Sequence, residues 1–261
     1  MAELTNGSKI VLIIEYDGTN YHGSQYQTNA LTIQEEIEKA LNELTGKQSR
    51  IRMASRTDAG VHATGQVASF TTDSVLPMES YTEGLNHFLP EDISVKEVFG
   101  ADESFDVRRD ALNREYCYTI LNCQTHSPIR KRYSHKVAGK LDVKAMNKAC
   151  KALVGKHDLS SFVSSAEVAD KKRTERAIYS AEFTQEKDVI LFNIIADSFL
   201  PHQVRNTIGS LLKVGQGKMT ASEFKNMIEA KTPGLACPTA PSAGLCLVKV
   251  NYPESARRYS G

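Results

Sequence analysis

Hydrophobic period and turn residues spell strand–helix–strand–strand–helix–strand along the first half of the chain, and the same order again along the second. No other feature constrains the fold as strongly. Lys9 to Tyr16 (KIVLIIEY) is a β-branched apolar run, which predicts a strand covered on both faces. Thr32 with Glu35 three residues later is a capping-box signature; Ile33, Ile37, Ala40, Leu41 and Leu44 then recur at helical spacing until Gly46. Arg50 to Met53 predicts a short strand, Gln66 to Thr72 another, Met78 to Leu89 a helix stopped by Pro90, and Ile93 to Phe99 a fourth strand. In the second half, Glu115 to Cys123 reads as a strand and Asp142 caps a helix running to about Val154. Arg176 to Gln185 and Val189 to Ala196 form a hairpin turning at Glu186-Lys187-Asp188. A helix over His202 to Val214, an extra helix from Ser222 to Lys231, and a strand from Gly244 to Asn251 close the chain. The residues themselves do not repeat; only the order of elements does. The expected class is therefore α+β, with two ferredoxin-like β-α-β-β-α-β halves at 1–105 and 106–261. Joined edge to edge, they would form one long, mainly antiparallel sheet with helices on one face and a ligand cleft between the halves.

One connection stands apart. The second hairpin turns tightly, whereas the corresponding segment of the first half, Ala54 to Gly65, is long and carries Arg56, Asp58, His62 and two glycines. On spacing alone, a plain turn explains Asp58-Ala59-Gly60 at least as well as a nucleophile does. Arg56 shifts the balance, because a guanidinium near a carboxylate keeps it ionised and ready to attack an electrophilic carbon. A surface ion pair remains the bland alternative for Arg56. His62, four residues after Asp58, invites a metal reading, but Gly60 breaks the helix such a site needs and no further ligand cluster appears. No metal is expected from this spacing.

The formal net charge is only +1, so a polyanionic partner must be met by local clusters. These are Arg108-Arg109 with Arg114, Arg130-Lys131-Arg132, Lys171-Lys172-Arg173 with Arg176, and Arg257-Arg258, each taken singly better read as a solvated face. The segments 128–136 and 166–174 lie between elements, where they would reach a large ligand. Five cysteines without a CxxC pair point to reduced thiols. The apolar run Ile10 to Ile14 is stopped by Glu15, too short for a signal-peptide core or a membrane span, so a cytoplasmic location and no membrane are expected.

The stretch Ser55-Arg56-Thr57-Asp58-Ala59-Gly60-Val61-His62 closely resembles the active-site motif of the tRNA pseudouridine synthase A (TruA) family. Further segments agree in order: Glu15-Tyr16-Asp17-Gly18-Thr19, Leu85-Asn86-His87-Phe88-Leu89-Pro90, Arg114-Glu115-Tyr116-Cys117-Tyr118, and Phe199 to Asn206 with its Val204-Arg205-Asn206. The resemblance spans about residues 8 to 253. It implies the pseudouridine synthase fold and an isomerase that converts uridine to pseudouridine in the anticodon stem-loop of tRNA, at tRNA positions 38, 39 and 40. It also implies that no cofactor and no catalytic metal take part, and a homodimer with one tRNA lying across both subunits.

Carried over residue by residue, Asp58 would be the nucleophile, Arg56 its neighbouring motif arginine, and Arg205 a partner approaching it from the second half. Tyr116 would pack on the target base, although an aromatic in a strand is also ordinary core, as Tyr118 on the same face would be. His62 is a candidate for displacing the flipped base. The chain departs from the family pattern at Gly23-Ser24-Gln25-Tyr26-Gln27, where Trp usually follows the Gly, at Ser55, and at Pro201 and Gln203. Two rivals stay open: an RNA-binding module without catalysis, and a glycosidic-bond hydrolase with Asp17 as second carboxylate.

Overall fold

A computed structural model describes residues 8–164, 174–236 and 238–256. Lys171-Lys172-Arg173, Arg257-Arg258, Cys237 and nearly all of the 166–174 segment lie outside the described residues. The described residues form two compact units. One runs to Leu112 and takes in the chain again from Leu247; the other runs from Asn113 to Cys246.

The first unit follows the expected order: β1 (Ser8–Tyr16), α1 (Ile33–Thr45), β2 (Arg52–Met53), β3 (His62–Thr72), α2 (Met78–Phe88) and β4 (Ile93–Ala101). β1 is central, antiparallel to both β3 and β4, which is why Ile10, Val11, Leu12 and Ile14 are fully buried. α1 starts where Thr32 accepts a hydrogen bond from the Glu35 amide (3.3 Å) and stops at Gly46, whose φ of 68° suits a residue without Cβ. The Glu35 carboxylate turns instead to Lys39 (3.0 Å).

One boundary differs in a way that matters. β3 begins at His62, not Gln66, so the connection after β2 runs only from Ala54 to Val61. His62, Thr64 and Gly65 read as part of the loop, yet Ala63 pairs with Tyr16 across a register irregularity. A Cβ on Gly65 would stand 2.2 Å from the Val248 carbonyl oxygen, so the glycine that weakens the strand signal admits a neighbouring backbone.

The second unit holds β5 (Asn113–Leu121), β6 (His135–Lys136), α3 (Val143–Cys150), β7 (Gly155–Asp158), β8 (Glu175–Glu186), β9 (Val189–Ala196), α4 (Gln203–Gly215) and α5 (Ala221–Ala230). β10 (Leu245–Asn251) begins here, and its remaining residues belong to the first unit. β5, β9, β8 and β7 neighbour one another in that order, all antiparallel, while β6 runs parallel to the end of β5. β6 and β7 are short and polar and give no alternating signal. α3 ends at Cys150 rather than near Val154: the next amides bond to Ala149 and Cys150 in a tighter turn, and Gly155 at φ 117° starts β7. Leu153 keeps the helical spacing and is buried, so periodicity alone could not mark this end. Thr220 and Glu223 form a complete capping box at the start of α5.

Candidate active site

Asp58 sits midway along the Ala54–Val61 connection, partly exposed, between the exposed residues Arg56 and Ala59. The loop that carries it is tied down on both sides. Thr57 donates its amide to Ser24 Oγ (2.9 Å), and its carbonyl accepts the Ser24 amide (3.1 Å). Beyond Asp58, the Gly60 amide reaches the Tyr21 carbonyl (3.1 Å), and the Val61 amide closes back on the Asp58 carbonyl (3.1 Å). Gly60 takes φ 74°, a left-handed turn that glycine makes without strain. Gly23 brings its backbone so near that a Cβ would lie 2.8 Å from the Thr57 carbonyl oxygen. Ser24 occupies the place where the family pattern has Trp, and it is wholly buried and bonded to Thr57.

Below the loop lies a buried polar cluster. The Tyr16 hydroxyl contacts Thr57 Oγ1 (2.8 Å) and accepts from Gln66 Nε2 (3.3 Å). Gln66 also donates to the Ser55 carbonyl (2.8 Å) and accepts from the Ser55 amide (3.2 Å). Sequence reasoning passed over Tyr16 and Gln66 as site residues. Their place at the strand ends flanking the motif was the one available signal.

His62 opens β3 and is only 6% exposed, with Nδ1 accepting the Gly18 amide (3.1 Å). Asp17 Oδ1 lies 3.1 Å from the same Nδ1. Asp17 caps the short turn Gly18–Asn20 by accepting the Thr19 amide (3.0 Å) and hydroxyl. The carboxylate that a glycosidic-bond hydrolase would need as its second acid is thus engaged in the turn. Tyr21 donates to Asp92 on the far side, and burial with that carboxylate pushes its phenol well above the usual range. Among the described residues, no group of three or more His, Cys, Asp or Glu is placed to hold a metal ion.

The second unit carries Tyr116 and Arg205. Arg114, Tyr116, Tyr118 and Ile120 share the buried face of β5. Tyr116 packs edge-on against Phe199 with ring centres 5.2 Å apart. Tyr118 donates to the Pro241 carbonyl (2.9 Å); burial raises its phenol, and the nearby Arg205 charge opposes that rise. Arg205, in the first turn of α4, donates through Nε to the Ala240 carbonyl (2.8 Å), and its own carbonyl accepts the Ala240 amide (3.1 Å). Gln203, one of the departures from the family pattern, is buried and accepts the Leu200 amide (2.8 Å).

The basic clusters fare unequally. Arg130, Lys131 and Arg132 are exposed in a turn beside the exposed Ile129 and Tyr133. Arg109 is held by Asp110 (2.8 Å), and Arg114 is buried on the Asp197 carbonyl (2.7 Å), so Arg114 does not belong to a surface cluster.

Residues 12–110 and 149–253 match the family model described as tRNA pseudouridine synthase. The chain belongs to the tRNA pseudouridine synthase family. It is 43% identical to tRNA pseudouridine synthase A of Acetivibrio thermocellus over 243 residues, covering 93% of this chain and 99% of that relative. It is 42% identical over 249 residues to the protein of that name from Geobacter sp. strain M21, covering 94% and 99%. The Francisella tularensis subsp. holarctica protein of the same name is 41% identical over 244 residues, covering 94% of each. Among solved structures, an H/ACA RNP bound to a substrate RNA containing 2'-deoxyuridine aligns with TM-score 0.38 and 10% identity, over 78% of this chain and 44% of that one. Membership in the pseudouridine synthase family makes the chain an isomerase and makes the Arg56-Thr57-Asp58 loop of the first unit its candidate active site.

Proposed function

We propose that this chain isomerises uridine to pseudouridine in the anticodon stem-loop of tRNA. Asp58 acts as nucleophile on a flipped-out uridine, Tyr116 packs on the base, and His62 borders the space the base vacates. Arg56 and Arg205 supply positive charge toward the site. The observation that carries this reading is the tethered loop: Asp58 is partly exposed while the backbone on either side of it is hydrogen-bonded in place. A carboxylate held this way loses little entropy on meeting its target. The reaction breaks the bond from ribose C1′ to uracil N1, turns the base, and joins C1′ to C5. C5 then gives up its proton and N1 gains one, so nothing is consumed and no cofactor or metal is required. The flipped base needs stacking to offset the loss of its neighbours, which a tyrosine supplies. The exposed Arg130-Lys131-Arg132 turn is assigned to tRNA phosphates.

The catalytic loop belongs to the N-terminal half, and Tyr116 and Arg205 to the C-terminal half. The protein is assigned to the cytoplasm and its active form to a homodimer; sedimentation of the purified protein tests the second assignment. The decisive experiment incubates the protein with unmodified tRNA and maps pseudouridine, alongside Asp58→Ala. Pseudouridine in the anticodon stem from the wild type, and none from Asp58→Ala, is expected. No product on any tRNA would overturn the reading, and release of free uracil would replace it with hydrolysis.

A further inference from the structure

The β2–β3 ladder ends in an unusual way. Arg52 pairs with Ser69, Met53 with Ala68, and the Ala54 amide still bonds to the Val67 carbonyl (2.8 Å). At Ser55 the chain leaves β3, but pairing does not stop. The Gln66 carboxamide takes both backbone groups of Ser55, accepting its N–H (3.2 Å) and donating to its C=O (2.8 Å). One side-chain amide thus extends the ladder by one residue at the point where the catalytic loop begins. The same Oε1 accepts the Val67 amide (3.2 Å), and Nε2 also reaches the Tyr16 hydroxyl, which in turn meets Thr57 Oγ1 (2.8 Å).

Gln66 is 0% exposed, Tyr16 3%, and Thr57 7%. Burying polar groups is unfavourable unless each is hydrogen-bonded, and a satisfied network fixes its members more rigidly than apolar packing does. Elsewhere β1 and β3 bury Ile10, Leu12, Ile14, Val67, Ala68 and Phe70, with the small polar Ser69 and Thr72 towards the far end of β3. Polar residues gather beneath the segment that carries Asp58.

We propose that Gln66 and Tyr16 are positioning residues of the pseudouridine synthase reaction: they set the direction in which the loop leaves β3 and so the place from which the Asp58 carboxylate acts. The inference rests on the assignment of Asp58 as nucleophile. Neither residue contacts substrate; each works through the backbone of Ser55 or the side chain of Thr57.

The test measures single-turnover pseudouridine formation at saturating tRNA, tRNA affinity, and thermal stability for Gln66→Met, Tyr16→Phe, Thr57→Val and Thr57→Ser. Misplacing a reacting group by about 1 Å costs roughly 100-fold in rate. Gln66→Met and Tyr16→Phe are therefore expected to lower the single-turnover rate about 10- to 100-fold while tRNA affinity changes less than about threefold. Thr57→Ser, which keeps the hydroxyl, is expected to retain most of the rate that Thr57→Val loses. Should Gln66→Met prove poorly folded, the Thr57 pair and Tyr16→Phe decide the matter. Folded variants with wild-type rates would overturn the inference, as would equal loss from Thr57→Ser and Thr57→Val. Absence of product from the wild type would instead overturn the functional reading beneath it.

Discussion

Gly18→Ala tests how closely the N-terminal motif is built against the Asp58 loop. Gly18 lies in the turn capped by Asp17, and an added Cβ would stand 2.0 Å from the Val61 carbonyl oxygen and 2.7 Å from the carbonyl carbon. An ordinary carbon–oxygen contact is about 3.3 Å, so one backbone must retreat by about 1 Å. The obstacle is main chain and cannot rotate away, which puts the cost near the upper end of overpacking, about 3 kcal/mol. Loss of the bond from the Gly18 amide to His62 Nδ1 adds about 1 kcal/mol. A Tm roughly 10 °C lower should follow in a chain of this size. Because Val61 closes the turn on the Asp58 carbonyl, the single-turnover rate should also fall, by about 100-fold for a 1 Å displacement. The control is Gly46→Ala at the end of α1, where φ is 68° and nothing lies within 4 Å. There only backbone strain acts, about 1 kcal/mol, and the rate should not change. Chemical denaturation and pseudouridine formation read both variants. A Gly18→Ala protein within about 0.5 kcal/mol of wild type and fully active would refute the reasoning.

Thr220→Ala removes one half of the capping box of α5 and should lower stability by about 1 kcal/mol, seen as faster amide exchange in that helix. Tyr81→Phe removes a buried hydroxyl that has no partner among the described residues; a rise in Tm corresponding to about 1 kcal/mol is expected, with unchanged activity. Burial holds the His135 imidazole below its usual range, and its Nδ1 is buried without a partner among the described residues. The unfolded chain therefore takes up this proton at higher pH than the fold does, and stability should drop as pH falls from about 7 to 5. Urea titrations at both ends of that window should show a shallower drop for His135→Phe; parallel slopes would exclude the role.

Elements with a strong period or a clear cap were legible in the sequence. β1 announced itself by an unbroken apolar run, α1 by Thr32 and Gly46, and the β8–β9 hairpin by flanking alternation. β6 and β7 were not, because two and four polar residues carry no period and pair only through context. α3 was overextended because Leu153 keeps the apolar spacing after the helix has tightened into a turn.

The candidate site shows the same division at finer grain. Arg56, Asp58 and His62 lie in one compact, recognisable motif and stand out together. Those that shape the loop are scattered over β1, β3 and the segment after Gly23, and each taken singly is ordinary. The start of β3 explains why. His62, Thr64 and Gly65 read as loop because the glycine and the polar residues beside it interrupt the apolar alternation, yet His62 and Gly65 each have a structural use. Gly65 admits the Val248 backbone, His62 takes the Gly18 amide, and Gln66 lends its side chain to Ser55. A strand end that makes such backbone and side-chain contacts gives up apolar alternation to do so. Local propensity fails here because tertiary demands are greatest here, and that failure marks the residues that orient the site.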